Sequence, residues 1–305
     1  MNITLAQLAH LTPAMARSLM PQWLGTFVVV APEYEAQMIA QVDDLLSQST
    51  DEEIAAALSH MATFGDGYEL YPAQPLARSM TRLYMGALMH EATLTGLEHL
   101  RAASARGPVL LMSNHLAYCD TQVKDLLLLR AGAEDVAESI VAVAGPKVYG
   151  TVFRRMASAG LSTLKTAQSS GMATNAAGLS PREVAQIALQ TVGRARDLMT
   201  AGRLVLIYGE GSRSRDGSLQ PFLRAVRKYA AVPGLQIVPM AISGTNRMMP
   251  IGQVEMVGTP VQLRIGEAVT VETAGRTEAI EETWHRISGM LPEENRPQDT
   301  VKPIV

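Results

Sequence analysis

The chain has 305 residues, 47% of them hydrophobic and 18% charged, a balance that suits one large or two ordinary packed domains. A net charge of -3 argues against wholesale nucleic-acid binding, which needs a strongly basic stripe or tail, so any anion site must be local. The single cysteine, Cys119, excludes an intramolecular disulfide framework and fits a reducing compartment. Met1 to Leu11 lacks a basic region followed by a continuous apolar one, so the expected location is the cytoplasm. The apolar stretch Trp23 to Ala31 is about half the roughly 20 residues a membrane-spanning helix needs, which leaves only peripheral membrane contact open.

From Ile3 to about Ala92 the pattern is helical. Leu5, Leu8, Ala9 and Leu11 make one apolar stripe, and Pro32 opens a segment carrying Met38, Ile39, Val42, Leu45 and Leu46. Thr50-Asp51-Glu52-Glu53 has the form of a capping box ahead of Ile54, Ala57, Leu58 and Met61. After the breaks at Gly65-Asp66-Gly67 and Tyr71-Pro72, a further helix runs from about Pro75 to Leu88. A small helical bundle is implied, with methionines as adaptable core. The expected boundary falls near residue 93, giving a bundle over 1–93 and a second domain over 94–305.

Beyond Thr93 short strands alternate with helices, the signature of a layered α/β domain. Pro108 to Met112 reads as a buried strand, Val123 to Arg130 as helix and Ile140 to Ala144 as strand. Pro146 starts an expected helix whose Lys147, Arg154 and Arg155 read most simply as a solvated basic face. Gly160 to Lys165 looks like a short strand with a lysine at its end, and Ser169 to Gly178 like a loop. Ser180-Pro181-Arg182-Glu183 opens a helix to about Thr200, followed by strands at Leu204 to Ile207, Leu235 to Ala241 and Val261 to Gly266. A helix over Ala279 to Leu291 closes the fold, and the residues from Pro292 on read as a frayed tail.

Two stretches carry chemistry. In Ser113-Asn114-His115-Leu116-Ala117-Tyr118-Cys119-Asp120, directly behind a strand, Asp120 lies five positions after His115 and can turn back against one imidazole nitrogen. The other nitrogen is then free to take a proton from a hydroxyl. The alternative is a surface histidine beside an Asp120 that merely caps the next helix. In Tyr208-Gly209-Glu210-Gly211-Ser212-Arg213-Ser214-Arg215-Asp216-Gly217, also behind a strand, two glycines allow close backbone approach and two arginines offer forked donors to a phosphate. Its alternative is a polar turn with Glu210 or Asp216 paired to Arg213 or Arg215. No His, Cys, Asp or Glu cluster has metal-ligand spacing.

In this order the patches resemble the glycerolipid acyltransferase family over roughly residues 94 to 290. Asn114-His115 to Asp120 is its N-H-x-x-x-x-D motif; Gly160 to Lys165 is similar to its second block, with Lys for the terminal Arg. Tyr208 to Ser214 resembles F-P-E-G-T-R-S with Tyr for Phe, Gly for Pro and Ser for Thr, and Ile237-Val238-Pro239 matches the fourth block. The helical front half, Lys165 and the Arg213-x-Arg215 pair most resemble the soluble glycerol-3-phosphate acyltransferases. The resemblance implies a mixed sheet flanked by helices with an N-terminal helical-bundle domain. It further implies transfer of a fatty acyl group from acyl-carrier protein or acyl-CoA, as co-substrate, to a hydroxyl of a phosphorylated small-molecule acceptor, glycerol-3-phosphate or 1-acylglycerol-3-phosphate. No metal or other cofactor is implied. His115 would be the general base and Asp120 its orienter; Lys165, Arg213 and Arg215 would hold the acceptor phosphate, and Glu210, Gly211 and Ser212 would shape the acceptor site. A non-phosphorylated acceptor and a non-catalytic acyl-carrier-binding module remain open alternatives.

Overall fold

The computed structural model describes residues 3–167, 178–298 and 300–304. The loop expected from Ser169 lies outside the described residues as far as 177. The strands in chain order are β1 (Val28–Val29), β2 (Leu70–Tyr71), β3 (Ala92–Thr95), β4 (Val109–Ser113), β5 (Ile140–Ala144), β6 (Ser162–Lys165), β7 (Leu204–Tyr208), β8 (Gln236–Ser243), β9 (Met256–Val257), β10 (Val261–Ile265) and β11 (Val269–Thr270). By compactness the chain divides into two units: Met1–His90 with Ala144–Ala188 and Gly252–Thr259, and Glu91–Val143 with Leu189–Ile251 and Pro260–Val305.

The first unit is mostly helical, with helices at Leu5–Leu8, Pro13–Gly25, Pro32–Gln48, Asp51–Thr63, Pro75–Leu88 and Val152–Ala159. Their starts arise from local chemistry. Thr12 accepts from the Met15 N–H with Pro13 in the first turn, and Thr50 and Glu53 form the reciprocal capping box expected of them. Met38, Val42 and Leu46 are buried on one stripe of their helix. Trp23, Phe27 and Phe153 pack as an aromatic cluster, the two phenylalanines stacked at 4.1 Å. β1 pairs with β9 in parallel and β2 with β6 antiparallel.

The helix expected from Pro146 is instead a single 3-10 turn, Pro146–Tyr149, followed by a separate helix Val152–Ala159. The Thr151 side chain accepts from the Arg154 N–H and so starts a new helix after Gly150. Arg155 is no member of a solvated face: Nη1 donates to the Ala62 carbonyl at 2.7 Å, Nε donates to that of Tyr149, and Nη2 pairs with Asp66.

The second unit is an α/β fold with a mixed sheet. Strands β5, β7, β4 and β8 are parallel neighbours in that order; β10 then pairs antiparallel with β8, and β3 parallel with β10. Every residue of β4 and β8 is buried, which is why these strands read as continuous apolar runs rather than alternating ones. Helices Leu97–Arg106 and Arg276–Met290 pack on β8. The tail is not frayed. After Pro292 a 3-10 turn buries Asn295, whose Nδ2 donates to the Gly217 carbonyl at 2.7 Å. The Leu219 N–H donates to the Asn295 carbonyl, and the Phe222 N–H to that of Pro303. The tail thus satisfies backbone groups that a surface segment would otherwise leave to water.

Candidate active site

β4 ends at Ser113, and the residue after it sets the path of the chain out of the sheet. Asn114 is buried, and its amide makes a two-way bond with the Ile242 backbone of β8, donating to the carbonyl at 2.9 Å and accepting from the N–H at 2.8 Å. With the chain pinned there, His115 leaves the sheet and the helix Asp120–Arg130 begins behind it. Asp120 does not cap that helix: Cys119 holds the cap position, and the Asp120 carboxylate points back along the chain. It accepts from the N–H groups of Leu116 at 2.7 Å and Ala117 at 3.1 Å, and it meets His115 Nδ1 at 2.8 Å.

Full burial acts to raise the Asp120 carboxyl, but the hydrogen bond and charge of His115, with the charge of Lys124, overcome it and hold it below the usual carboxylate range. An ionised carboxylate can only accept, so Nδ1 carries the proton that faces it, and in the neutral ring the lone pair is left on Nε2. Nε2 has no protein hydrogen-bond partner among the described residues. Cys119 beside this pair is fully buried, 3.9 Å from the Met248 sulfur, and burial pushes its thiol far up, so it is no nucleophile.

The turn after β7 is knitted to this pair. Glu210 Oε1 accepts from the His115 N–H at 2.9 Å, and the Ser214 N–H donates to the His115 carbonyl at 2.8 Å. The Tyr208 ring stacks on the imidazole at 4.0 Å. Glu210 Oε2 is buried without a protein partner, and burial raises its carboxyl well above the usual range. Asp216 is taken up by Ser214, Ser218 and Gln220, and the Arg213 guanidinium lies 3.6 Å over the Tyr118 ring. The ion pairs of Glu210 or Asp216 with Arg213 or Arg215 that the sequence left open are therefore not formed. Gly211 and Ser212 are exposed at the turn, as is Arg215. Gly211 adopts φ +71°, which favours glycine, and a side chain there would also meet Leu223.

Lys165 belongs to the other compact unit. It is buried at the end of β6, its ammonium donates to the Gly65 carbonyl, and the Tyr68 ring lies 4.4 Å away. Several participants escaped sequence reading: Asn114 as a clamp, Tyr118 under Arg213, and Lys124 and Thr121 against Tyr208. Only the tyrosine in place of phenylalanine at 208 offered a signal.

The Acyltransferase family model matches residues 91–243. Over 163 residues the chain is 26% identical to a chloroplastic 1-acyl-sn-glycerol-3-phosphate acyltransferase of Brassica napus, covering 53% of this chain and 40% of that protein. The Arabidopsis thaliana counterpart matches at the same identity and length, with 39% of it covered. A Chlamydomonas reinhardtii 1-acyl-sn-glycerol-3-phosphate acyltransferase is 34% identical over 83 residues, 27% of this chain and 23% of that protein. The chain thus spans about two fifths or less of the length of these relatives. A crystal structure of the 1-acyl-sn-glycerophosphate acyltransferase PlsC from Thermotoga maritima superposes with a TM-score of 0.48 at 14% identity, covering 90% of this chain and 97% of that one. The family match runs unbroken from the first residue before β3 to the end of β8 and takes in His115, Asp120 and the whole turn after β7, so the chain belongs to the Acyltransferase family, that of the glycerolipid acyltransferases.

Proposed function

We propose that the protein is an O-acyltransferase that moves a fatty acyl group from an acyl thioester, acyl-CoA or acyl-carrier protein, to a hydroxyl of 1-acylglycerol-3-phosphate or glycerol-3-phosphate. The observation that carries this reading is the His115–Asp120 pair, with Nδ1 engaged at 2.8 Å and Nε2 bare. Nε2 takes the proton of the acceptor hydroxyl as that oxygen attacks the thioester carbonyl. The tetrahedral intermediate collapses with cleavage of the C–S bond, and the imidazolium returns the proton to the departing thiolate. No acyl-enzyme forms. Arg213, stacked on Tyr118, is assigned to the acceptor phosphate together with Arg215; Lys165 is assigned to it by the resemblance alone. Clamping a charged end converts weak binding of a small alcohol into orientation of its hydroxyl. Glu210, with Gly211 and Ser212, shapes the acceptor side. The names of the relatives favour the 1-acyl acceptor. Because no helix among the described residues is long and apolar enough to cross a membrane, a lipid acceptor would be met by peripheral contact.

The test is thioester consumption measured with and without each acceptor. Acceptor-dependent turnover with lysophosphatidate, cut about 10²- to 10⁴-fold in His115→Ala with both substrates still bound, is the expected result. Asp120→Asn should lower turnover in protein that is still folded at the assay temperature, since the amide can stabilise the wrong tautomer. Consumption indifferent to any phosphorylated acceptor would overturn the assignment.

A further inference from the structure

Lys124 is a fully buried lysine that the proposed transfer does not use. It lies one helical turn after Asp120, so its side chain rises beside that residue. Its ammonium sits 3.5 Å from the Asp120 carbonyl and 3.4 Å from the Tyr208 phenol oxygen, and 4.9 Å from the centre of the Tyr208 ring. That same ring stacks on His115 at 4.0 Å, and its phenol is fixed by Thr121 at 2.7 Å. One aromatic ring therefore touches both an ammonium and the imidazole. Where the family motif has phenylalanine, this chain has a tyrosine, whose phenol oxygen gives the ammonium a polar partner there.

We propose that Lys124, anchored by Tyr208, is a positioning residue for the His115–Asp120 pair: its charge offsets that of the buried carboxylate and opposes a second cation on the imidazole, so that His115 stays a free base.

A carboxylate buried beside an imidazole pulls it toward the imidazolium, which cannot act as a base. A cation that shares the carboxylate's charge, and that faces the ring on which the imidazole stacks, works against that pull. The charged and titratable groups around the pair do not substitute for it. Cys119 and Asp120 face Lys124 from its own turn, and Tyr208 faces it from β7. Glu210 reaches His115 only through the backbone N–H, with its carboxyl raised by burial, and Arg213 is held over Tyr118. Burial pulls the Lys124 ammonium down to about 8, so it remains charged at neutral pH. Such a burial is costly without a close carboxylate partner, which points to a role other than stability.

The inference builds on the proposed role of His115 as base, but its test does not depend on turnover. Protein labelled with ¹⁵N-histidine reports by NMR whether the His115 ring carries one proton or two. In Lys124→Met the two-proton fraction at a fixed neutral pH should rise several-fold. Tyr208→Phe keeps the stack but removes the phenol, so it should move the same signal in the same direction by less, and it carries the test if Lys124→Met fails to fold. In parallel, kcat of both variants should fall while both KM values hold. An unchanged His115 signal in the folded variants would overturn the inference. A wild-type protein that transfers no acyl group would remove the acyltransferase reading and leave the NMR result standing on its own.

Discussion

At the scale of single residues, the departures from the family pattern have physical reasons. Gly209 stands where the motif has proline, and a β-carbon built there would lie 2.5 Å from the Phe222 ring. Phe222 is fully buried and fills the space a proline ring would need. Restoring the family residue should therefore harm this protein. Gly209→Pro should cost about 1 to 3 kcal/mol by overpacking, and adding Phe222→Ala should recover part of that loss. Denaturation of both single variants and the double variant checks it; simple additivity would mean that the two positions do not compete for one space. The His115–Asp120 pair was legible in the sequence because its geometry is local, five residues folded back on themselves. The Arg213–Tyr118 stack was not, because it joins side chains about 95 positions apart along the chain.

At the scale of elements, the turn that carries Arg213 and Arg215 is held from behind by the tail. The Leu223 N–H donates to the Gly209 carbonyl, that of Phe222 to the Pro303 carbonyl, and Asn295 ties down Gly217 and Leu219. A chain ending after Arg296 loses the bond to Pro303 and the bridge between Phe222 and Ile304. It should keep the sheet, whose central strands are buried independently, but raise the acceptor KM several-fold while the donor KM holds, because looser arginines orient one substrate only. Equal damage to both constants, or none, would show that the tail does not position this turn. Composition alone reads residues past Pro292 as frayed, since the partners that order them lie some 76 to 82 positions back.

At the scale of the whole molecule, the buried charges of the site set how stability varies with pH. An ordinary lysine has a value of 10.5, and burial pulls the folded Lys124 down to about 8, so between these values the unfolded chain binds the extra proton and stability rises with pH. The displacement corresponds to about 3 kcal/mol. Lys124→Met should therefore melt higher than the parent at pH 7, and the difference should shrink as pH climbs from about 8 toward 10.5. A lower melting temperature for the variant at neutral pH would contradict this. Asp120 acts at the other end: its depressed carboxyl contributes stability that is present above the ordinary value of 3.8 and lost as pH falls through the lower folded value. The alternation of helix and strand, the caps at Thr50 and Ser180, and the reach of Asp120 to His115 were legible in the sequence, because each depends on periodicity or on hydrogen bonds within a few residues. It took the packed fold to lay Arg213 over Tyr118, to raise the Glu210 carboxyl by burial and to put the charge of Lys124 inside the protein. Those properties come from burial and from partners brought in by other strands, which no local spacing encodes.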